Sequence, residues 1–299
     1  MILTLFPILP KHFPFYKISK LLLIPFVFVL FQTFIFQTSI ESVPWNHTSG
    51  ETIAKSIETP SGYSRINFQA GSFEDFLRNL PLKKRGSQVF LFNKDLKDNQ
   101  DAHERVVDID TGDKNLQQCA DAIMRLVAEY HYFKGKESNI SFHLANRQIL
   151  SYSMFQKNKR PYIKNNKLFW KQTEKQKSKR ESFYEYLNFL FTYAGSVSLP
   201  YDTYKIHLGE AQSGDILLDP GSPGHAIMIV DTAIHKETKE KIFLLLQSYM
   251  PAQDMHVLKN PKNIKLSPWY RESEMKKEIE TPEWKFHSGQ FRRFRSTYH

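Results

Sequence analysis

One cysteine, Cys119, is all that 299 residues provide. A lone thiol excludes an intramolecular disulfide framework and any structural zinc site built from several cysteines. His103, His131, His143, His225 and His256 never fall into the HxH or HExxH spacings of metal chemistry, and no glycine-rich phosphate loop occurs. No metal and no cofactor is therefore expected. There is no internal repeat either. What the chain does have is a globular composition, 41% hydrophobic and 14% aromatic, enough for a substantial core. In such a chain a single cysteine is either a small buried hydrophobe or present for its chemistry.

The net charge of +10 first suggests nucleic acid or an anionic surface. Its distribution argues otherwise. Residues 157–180 hold ten Lys and Arg against one acid, Glu174, so this stretch carries nearly all of the excess. It has no apolar periodicity and reads as a solvated basic loop, so no specific nucleic-acid partner is expected. A surface adaptor working through this loop is the third functional reading.

At the N-terminus, Leu21 to Phe36 is almost wholly apolar, preceded by Lys11, Lys17 and Lys20 and followed by Gln37-Thr38-Ser39. Basic flank, apolar core and polar exit describe a secretory signal or a signal anchor. Sixteen residues fall short of the roughly 20 needed to span a bilayer, and Pro25 and Gln32 interrupt the run. The expected organisation is a signal peptide or membrane anchor over 1–40, a linker over 41–61, and one α+β domain over 62–299. The expected location is outside the cytoplasm, periplasmic or held at the membrane.

Within the domain, Ser72-Phe73-Glu74-Asp75 opens a helix whose apolar face is Phe73, Phe76, Leu77 and Leu80. Residues 88–92 and 105–110 read as strands, and Thr111-Gly112-Asp113 leads into a helix ending near Tyr132. Ser182 and Glu185 form a capping box for a later helix that stops at Gly195. Residues 216–218, 226–230 and 242–246 are apolar runs of strand length. Helices and strands in this order describe helices packed on one side of a mostly antiparallel sheet.

Two segments carry the chemistry. Cys119 stands near the start of a helix, where unpaired amides and the macrodipole favour a thiolate and lower its pKa. The fit is better if Asn115 caps that helix than if Asp113 does. Cys119 also shares a stripe with Ile123, Leu126 and Tyr130, which is the pattern of a buried residue. His225 follows Gly221, Pro223 and Gly224, a loop that places the ring at a strand end, where a general base is useful. Strands 226–230 and 242–246 read as one hairpin, which sets 225 opposite 247 or 248. Gln247, or else Ser248, would then orient the imidazole. Gln118 or Gln117 could donate to an oxyanion beside the Cys119 amide, and Gln253 could line the same cleft.

Taken together, Gly71-Ser72-Phe73, Leu116-Gln117-Gln118-Cys119-Ala120-Asp121-Ala122, Gly214-Asp215-Ile216, Pro223-Gly224-His225-Ala226, Gln247-Ser248-Tyr249-Met250-Pro251-Ala252-Gln253 and Thr281-Pro282-Glu283-Trp284 identify the chain as a member of an uncharacterised bacterial family, domain of unknown function 4846. That family implies no activity. More distantly, Gly214-Asp215 before one strand and Gly224-His225 opening the next resemble the NlpC/P60 group of papain-like hydrolases. There the order is cysteine, histidine, then a polar residue on the following strand, as Cys119, His225 and Gln247 would be. This resemblance implies a papain-like fold and an exported cysteine hydrolase that cuts an amide or peptide bond in the cell envelope. A peptidoglycan fragment is the first candidate substrate, by analogy alone. The alternative is a non-catalytic envelope binding module on the same fold.

Overall fold

The computed structural model describes residues 50–295. The expected signal or anchor over 1–40 lies outside the described residues. Among the described residues no helix is long and apolar enough to cross a membrane.

Along the chain come helix α1 (Ile53–Ser56), strand β1 (Tyr63–Arg65), helix α2 (Phe73–Arg78), strand β2 (His103–Val106) and the long helix α3 (Cys119–Phe133). Then come β3 (Ser141–His143), β4 (Ile149–Ser151), α4 (Tyr152–Gln156), β5 (Lys159–Lys164), β6 (Lys167–Gln172) and α5 (Lys179–Tyr193). Next are α6 (Leu199–Asp202), β7 (Thr203–Lys205), β8 (Ile216–Asp219), β9 (His225–His235) and β10 (Lys241–Gln247). The last part supplies β11 (His256–Leu258), β12 (Trp269–Arg271), β13 (Glu278–Glu280), β14 (Lys285–His287) and β15 (Phe291–Phe294).

Among the described residues nine strands make one antiparallel sheet in the order β2-β11-β10-β9-β8-β15-β7, with β1 also on β9 and β12 also on β10. The fold is α+β. Side chains alternate along β9: Ala226, Met228 and Val230 join the core that contains α2, α3 and α5, while Ile227 and Ile229 join a second core on the other face. β10 does the same, with Ile242, Leu244 and Leu246 against Phe243 and Leu245. Both strands are therefore apolar at nearly every position, as buried central strands are, and short runs of this kind are legible without periodicity. The second face is closed by the β13–β14 hairpin through Ile279 and Phe286.

Three expectations are corrected. The stretch over 157–180 is not a solvated loop. Asn165 and Asn166 both take positive φ, 50° and 58°, and fold it into the β5–β6 hairpin. Ile163, Leu168 and Trp170 pack against the core from this hairpin, and the lysines fill its outer positions. Second, α5 starts four residues earlier than Ser182 suggested. Ser178 and Glu181 make the reciprocal cap, with Glu181 N to Ser178 Oγ at 3.2 Å and Ser178 N to Glu181 Oε2 at 2.9 Å. Ser182 is then a buried residue inside the helix, and Glu185 pairs with Arg160 at 2.7 Å. Third, the domain begins before residue 62. Ile53 and Ile57, from the expected linker over 41–61, are core residues, and Glu58 O accepts from Trp269 Nε1 at 2.9 Å.

Candidate active site

The α3 helix begins at Cys119 itself. Gln118 is its N-cap, and the amide of Gln118 donates to Asp121 Oδ2 at 3.2 Å. Neither Asp113 nor Asn115 is the cap. The thiol thus sits in the first turn, where backbone amides are unpaired. It borders a cleft of about 300 Å³ lined also by Asn115, Gln118, Asp121, Ser196 and Gly224. Cys119 is only 5% exposed, so it forms the floor of that cleft.

The sulfur lies against the backbone on both sides of His225. Its contact to Gly224 O is 3.9 Å, and the Ala226 amide also donates to it. Gly224 has to be glycine: a Cβ there would come within 2.4 Å of Ser196 Oγ and 2.5 Å of Gly221 N. Burial pushes the thiol up to about 11. The Ala226, Ala120 and Cys119 amides pull the other way, and the nearby Asp121 carboxyl adds to the rise. The lowered pKa expected from the helix terminus is therefore outweighed by desolvation.

His225 opens β9, completely buried. Its ring packs at 4.9 Å from Tyr249, 5.2 Å from Trp284 and 5.8 Å from Phe286. Nε2 is 2.9 Å from Gln247 Oε1. This is a diagonal contact, because β10 pairs Leu246 with Met228 after a bulge at Leu244 and Leu245. Nδ1 has no hydrogen-bond partner among the described residues. Burial holds the imidazole down at about 4, against the opposing pull of Gln247 and Asp219, so it is neutral at ordinary pH.

The tautomer follows from the neighbours. His256 Nδ1 is 2.9 Å from Asp254 O, a pure acceptor, so Nδ1 carries the proton and Nε2 accepts. Gln247 Nε2 serves both His256 Nε2, at 3.2 Å, and Glu283 Oε2, at 2.6 Å. The Glu283 carboxylate is in turn paired with Lys97 Nζ at 2.7 Å. The amide of Gln247 is thereby oriented with Oε1 toward His225, which must donate from Nε2. Nδ1 is left as an unprotonated lone pair inside the protein. No hydrogen bond joins it to Cys119. The thiol belongs to the helix-side core, whereas the ring rests on Trp284 and Phe286 from the other face.

The remaining expected residues separate. Gln118 is at the cleft, with Nε2 donating to Asn115 Oδ1 at 3.2 Å. Gln117 turns away, into a neighbouring cavity, where Oε1 accepts from Arg125. Ser248 Oγ lies 3.2 Å from Gln117 O and 2.9 Å from Gln253 O, tying the cysteine loop to the end of β10. Gln253 is buried, bridges Leu91 and does not line the cleft.

Sequence reasoning missed Lys97, His256, Glu283 and Trp284. Trp284 covers the His225 ring and donates from Nε1 to Asp219 Oδ2 at 3.2 Å. Thr281 Oγ1 receives the Trp284 amide at 3.0 Å and donates to Trp284 O at 2.8 Å, which fixes the turn that presents both Glu283 and Trp284. The signal was present in Thr281-Pro282-Glu283-Trp284, but its distance in sequence gave no role. Likewise Asp215 of Gly214-Asp215 is buried and gripped by Arg293, Nε to Oδ1 at 2.7 Å and Nη2 to Oδ2 at 2.8 Å. That motif fastens β8 to β15 and does no chemistry at the cleft.

No curated protein and no solved structure matches the chain. The family model described as Domain of unknown function (4846) matches residues 53–293, which is the described domain almost end to end. The chain belongs to that family.

Proposed function

We propose that this protein is an exported cysteine hydrolase of papain-like, NlpC/P60-like type, acting on an amide or peptide bond of the cell envelope. One observation carries the reading. A thiol in the first turn of a helix borders a cleft and lies against the backbone on both sides of a buried histidine, whose Nε2 proton is committed to Gln247 and whose Nδ1 has no hydrogen-bond partner among the described residues. Because the thiol and imidazole are both neutral at rest, the proton moves during attack and not before it. For the attack the His225 ring has to turn from its packing on Trp284 and Phe286 toward Cys119; Sγ then forms a bond to the substrate carbonyl carbon as its proton passes to Nδ1, and the carbonyl electrons move to oxygen. Gln118 and the Cys119 amide are the donors available to that oxyanion. Collapse breaks the carbon–nitrogen bond, and His225 returns the proton to the leaving amine. Water, activated by the same nitrogen, then cleaves the thioester.

The test is trapping of the acyl intermediate. Treated with p-nitrophenyl acetate, the protein should release nitrophenol in a burst and carry one acetyl group on Cys119 by mass spectrometry. His225→Ala should lose the burst. Acetylation confined to lysines, or an unchanged burst in His225→Ala, would reject the hydrolase.

A second reading, the non-catalytic binding module on the same fold, is favoured by the buried thiol and by the lack of a Cys119–His225 hydrogen bond. In that case the cleft binds without turnover.

A further inference from the structure

A second cavity, of about 320 Å³, adjoins the cleft; Leu116 and Phe191 line both. Its wall includes Gln117, 1% exposed, and Arg125, 4% exposed. Among the described residues Gln117 Nε2 has no hydrogen-bond partner, and neither has Arg125 Nε. Arg125 Nη1 donates to Gln117 Oε1 and to Asp110 O, which fixes the amide with its NH2 end unused. The carboxylate near Arg125 is Glu129, 3.5 Å from Nε. That carboxylate is already held by the Arg180 fork, Nη1 to Oε2 at 2.7 Å and Nη2 to Oε1 at 2.8 Å. Two guanidiniums therefore share one buried carboxylate, and Gln117 Nε2 and Arg125 Nε are donors buried in the cavity wall without a hydrogen bond among the described residues.

We infer that this cavity is a subsite for a carboxylate, the C-terminal carboxylate of a peptide, received by Gln117 Nε2 and Arg125. A planar guanidinium beside a free amide donor suits the two oxygens of that group. Leu187 and Phe191 offer the terminal residue an apolar wall. Asp110 and Asp113 also line the cavity, but both are exposed and screened by solvent, and Lys114 stands beside them. The inference deepens the hydrolase reading and rests on it for the reaction. Arg125 follows Cys119 by six positions on α3, about 9 Å along the axis at 1.5 Å per residue. An extended peptide covers that distance in about three residues. The enzyme would then trim a peptide close to its free C-terminus and not cut within a long chain.

The experiment uses Cys119→Ala protein, which cannot turn over, titrated with N-acetyl-L-alanyl-D-alanine and with its C-terminal amide. The free acid should bind about tenfold more tightly, the difference expected of one charge-assisted contact. Gln117→Glu sets a carboxylate against Arg125 and should erase the preference for the acid while the melting temperature holds. If that variant does not fold, Gln117→Met, which lacks the amide donor, should reduce the preference. Equal binding of acid and amide, or a preference that survives both variants, overturns the subsite. Because no chemistry is read, acid preference without wild-type acylation would keep the subsite and reject the hydrolase. Acylation without acid preference would do the reverse.

Discussion

Gln247 Oε1 accepts from His225 Nε2 at 2.9 Å while the Nε2 of the same amide is divided between His256 and Glu283, so one side chain sets the proton position on the central histidine. Gln247→Ala would leave the buried His225 and His256 short of a bond and remove one from the part-buried Glu283, and a loss on the order of 3 kcal/mol is expected from unsatisfied groups. Glu283→Gln tests the same point with the Gln247 side chain in place. It keeps the volume but ends the charge pair with Lys97 and frees the Gln247 amide to turn over. The melting temperature should fall, because Lys97 stays buried without its charge partner. Nitrogen NMR of His225 should report loss of the pure Nε2–H form, and Cys119 acylation should slow by about tenfold, within the range for a positioned base. An unchanged tautomer would show that Glu283 only fills space.

His131 makes a separate test of burial. It lies on α3, 1% exposed, with both ring nitrogens unpartnered among the described residues, and burial followed by the charge of Lys136 holds it down at about 4. The unfolded chain binds this proton near 6.5 and the folded chain does not. Its contribution is therefore fully present above about 6.5 and is lost as pH falls toward 4. His131→Leu should reduce the slope of stability against pH in that window by about 1.4 kcal/mol per pH unit, the value for one proton. Urea melts at pH 7, 6 and 5 measure it. Parallel curves for the two proteins would mean that His131 binds its proton equally in the folded and unfolded chain.

The sheet was readable because its central strands are so apolar. Residues 226–230 and 242–246 need no partner information to be recognised as buried strands, and the turn between them set His225 within one diagonal step of Gln247. The thiol and imidazole were legible for the same reason, each lying at the start of an unmistakable element. What failed was whatever depends on distant residues. The hairpin over 159–172 is stabilised by three apolar side chains docking on the core, a contact invisible among so many lysines. Residues 88–92 form only isolated bridges, Phe90 to Leu96 and Leu91 to Gln253, because no neighbouring strand runs alongside them. The thiol pKa lies opposite to the expectation because desolvation on the buried stripe that Cys119 shares with Ile123, Leu126 and Tyr130 outweighs the helix terminus.

The start of the folded unit can be located by truncation. A protein beginning at Gly50 should give a cooperative melt, whereas one beginning at Ser61 loses Ile53 and Ile57 from the core and the acceptor of Trp269 Nε1. Each buried isoleucine contributes about 1.5–3 kcal/mol, so the shorter protein should be weakened by several kcal/mol. Equal denaturant midpoints would mean that the first helix is dispensable.

The reactivity of Cys119 follows from the two shifts in the site. The thiol, pushed up to about 11 by burial, is two pH units above its ordinary 9.0, so its thiolate fraction at pH 7 is lower by about a hundredfold. Iodoacetamide, which needs the thiolate, should label the folded protein at least that much more slowly than a free thiol. The rate should climb about tenfold per pH unit toward 11, as expected for a thiol titrating there. His225, neutral down to about 4, cannot act as a standing imidazolium partner at pH 7, so His225→Ala should not lower this basal rate. The acyl reagent behaves differently, because the proton leaves during attack and Nδ1 accepts it. Acylation should keep an even rate from about pH 5 to 9 and collapse in His225→Ala. A second plateau in the iodoacetamide profile near neutral pH, absent in His225→Ala, would mean that the pair already rests as thiolate and imidazolium, contrary to the buried, neutral ground state described above.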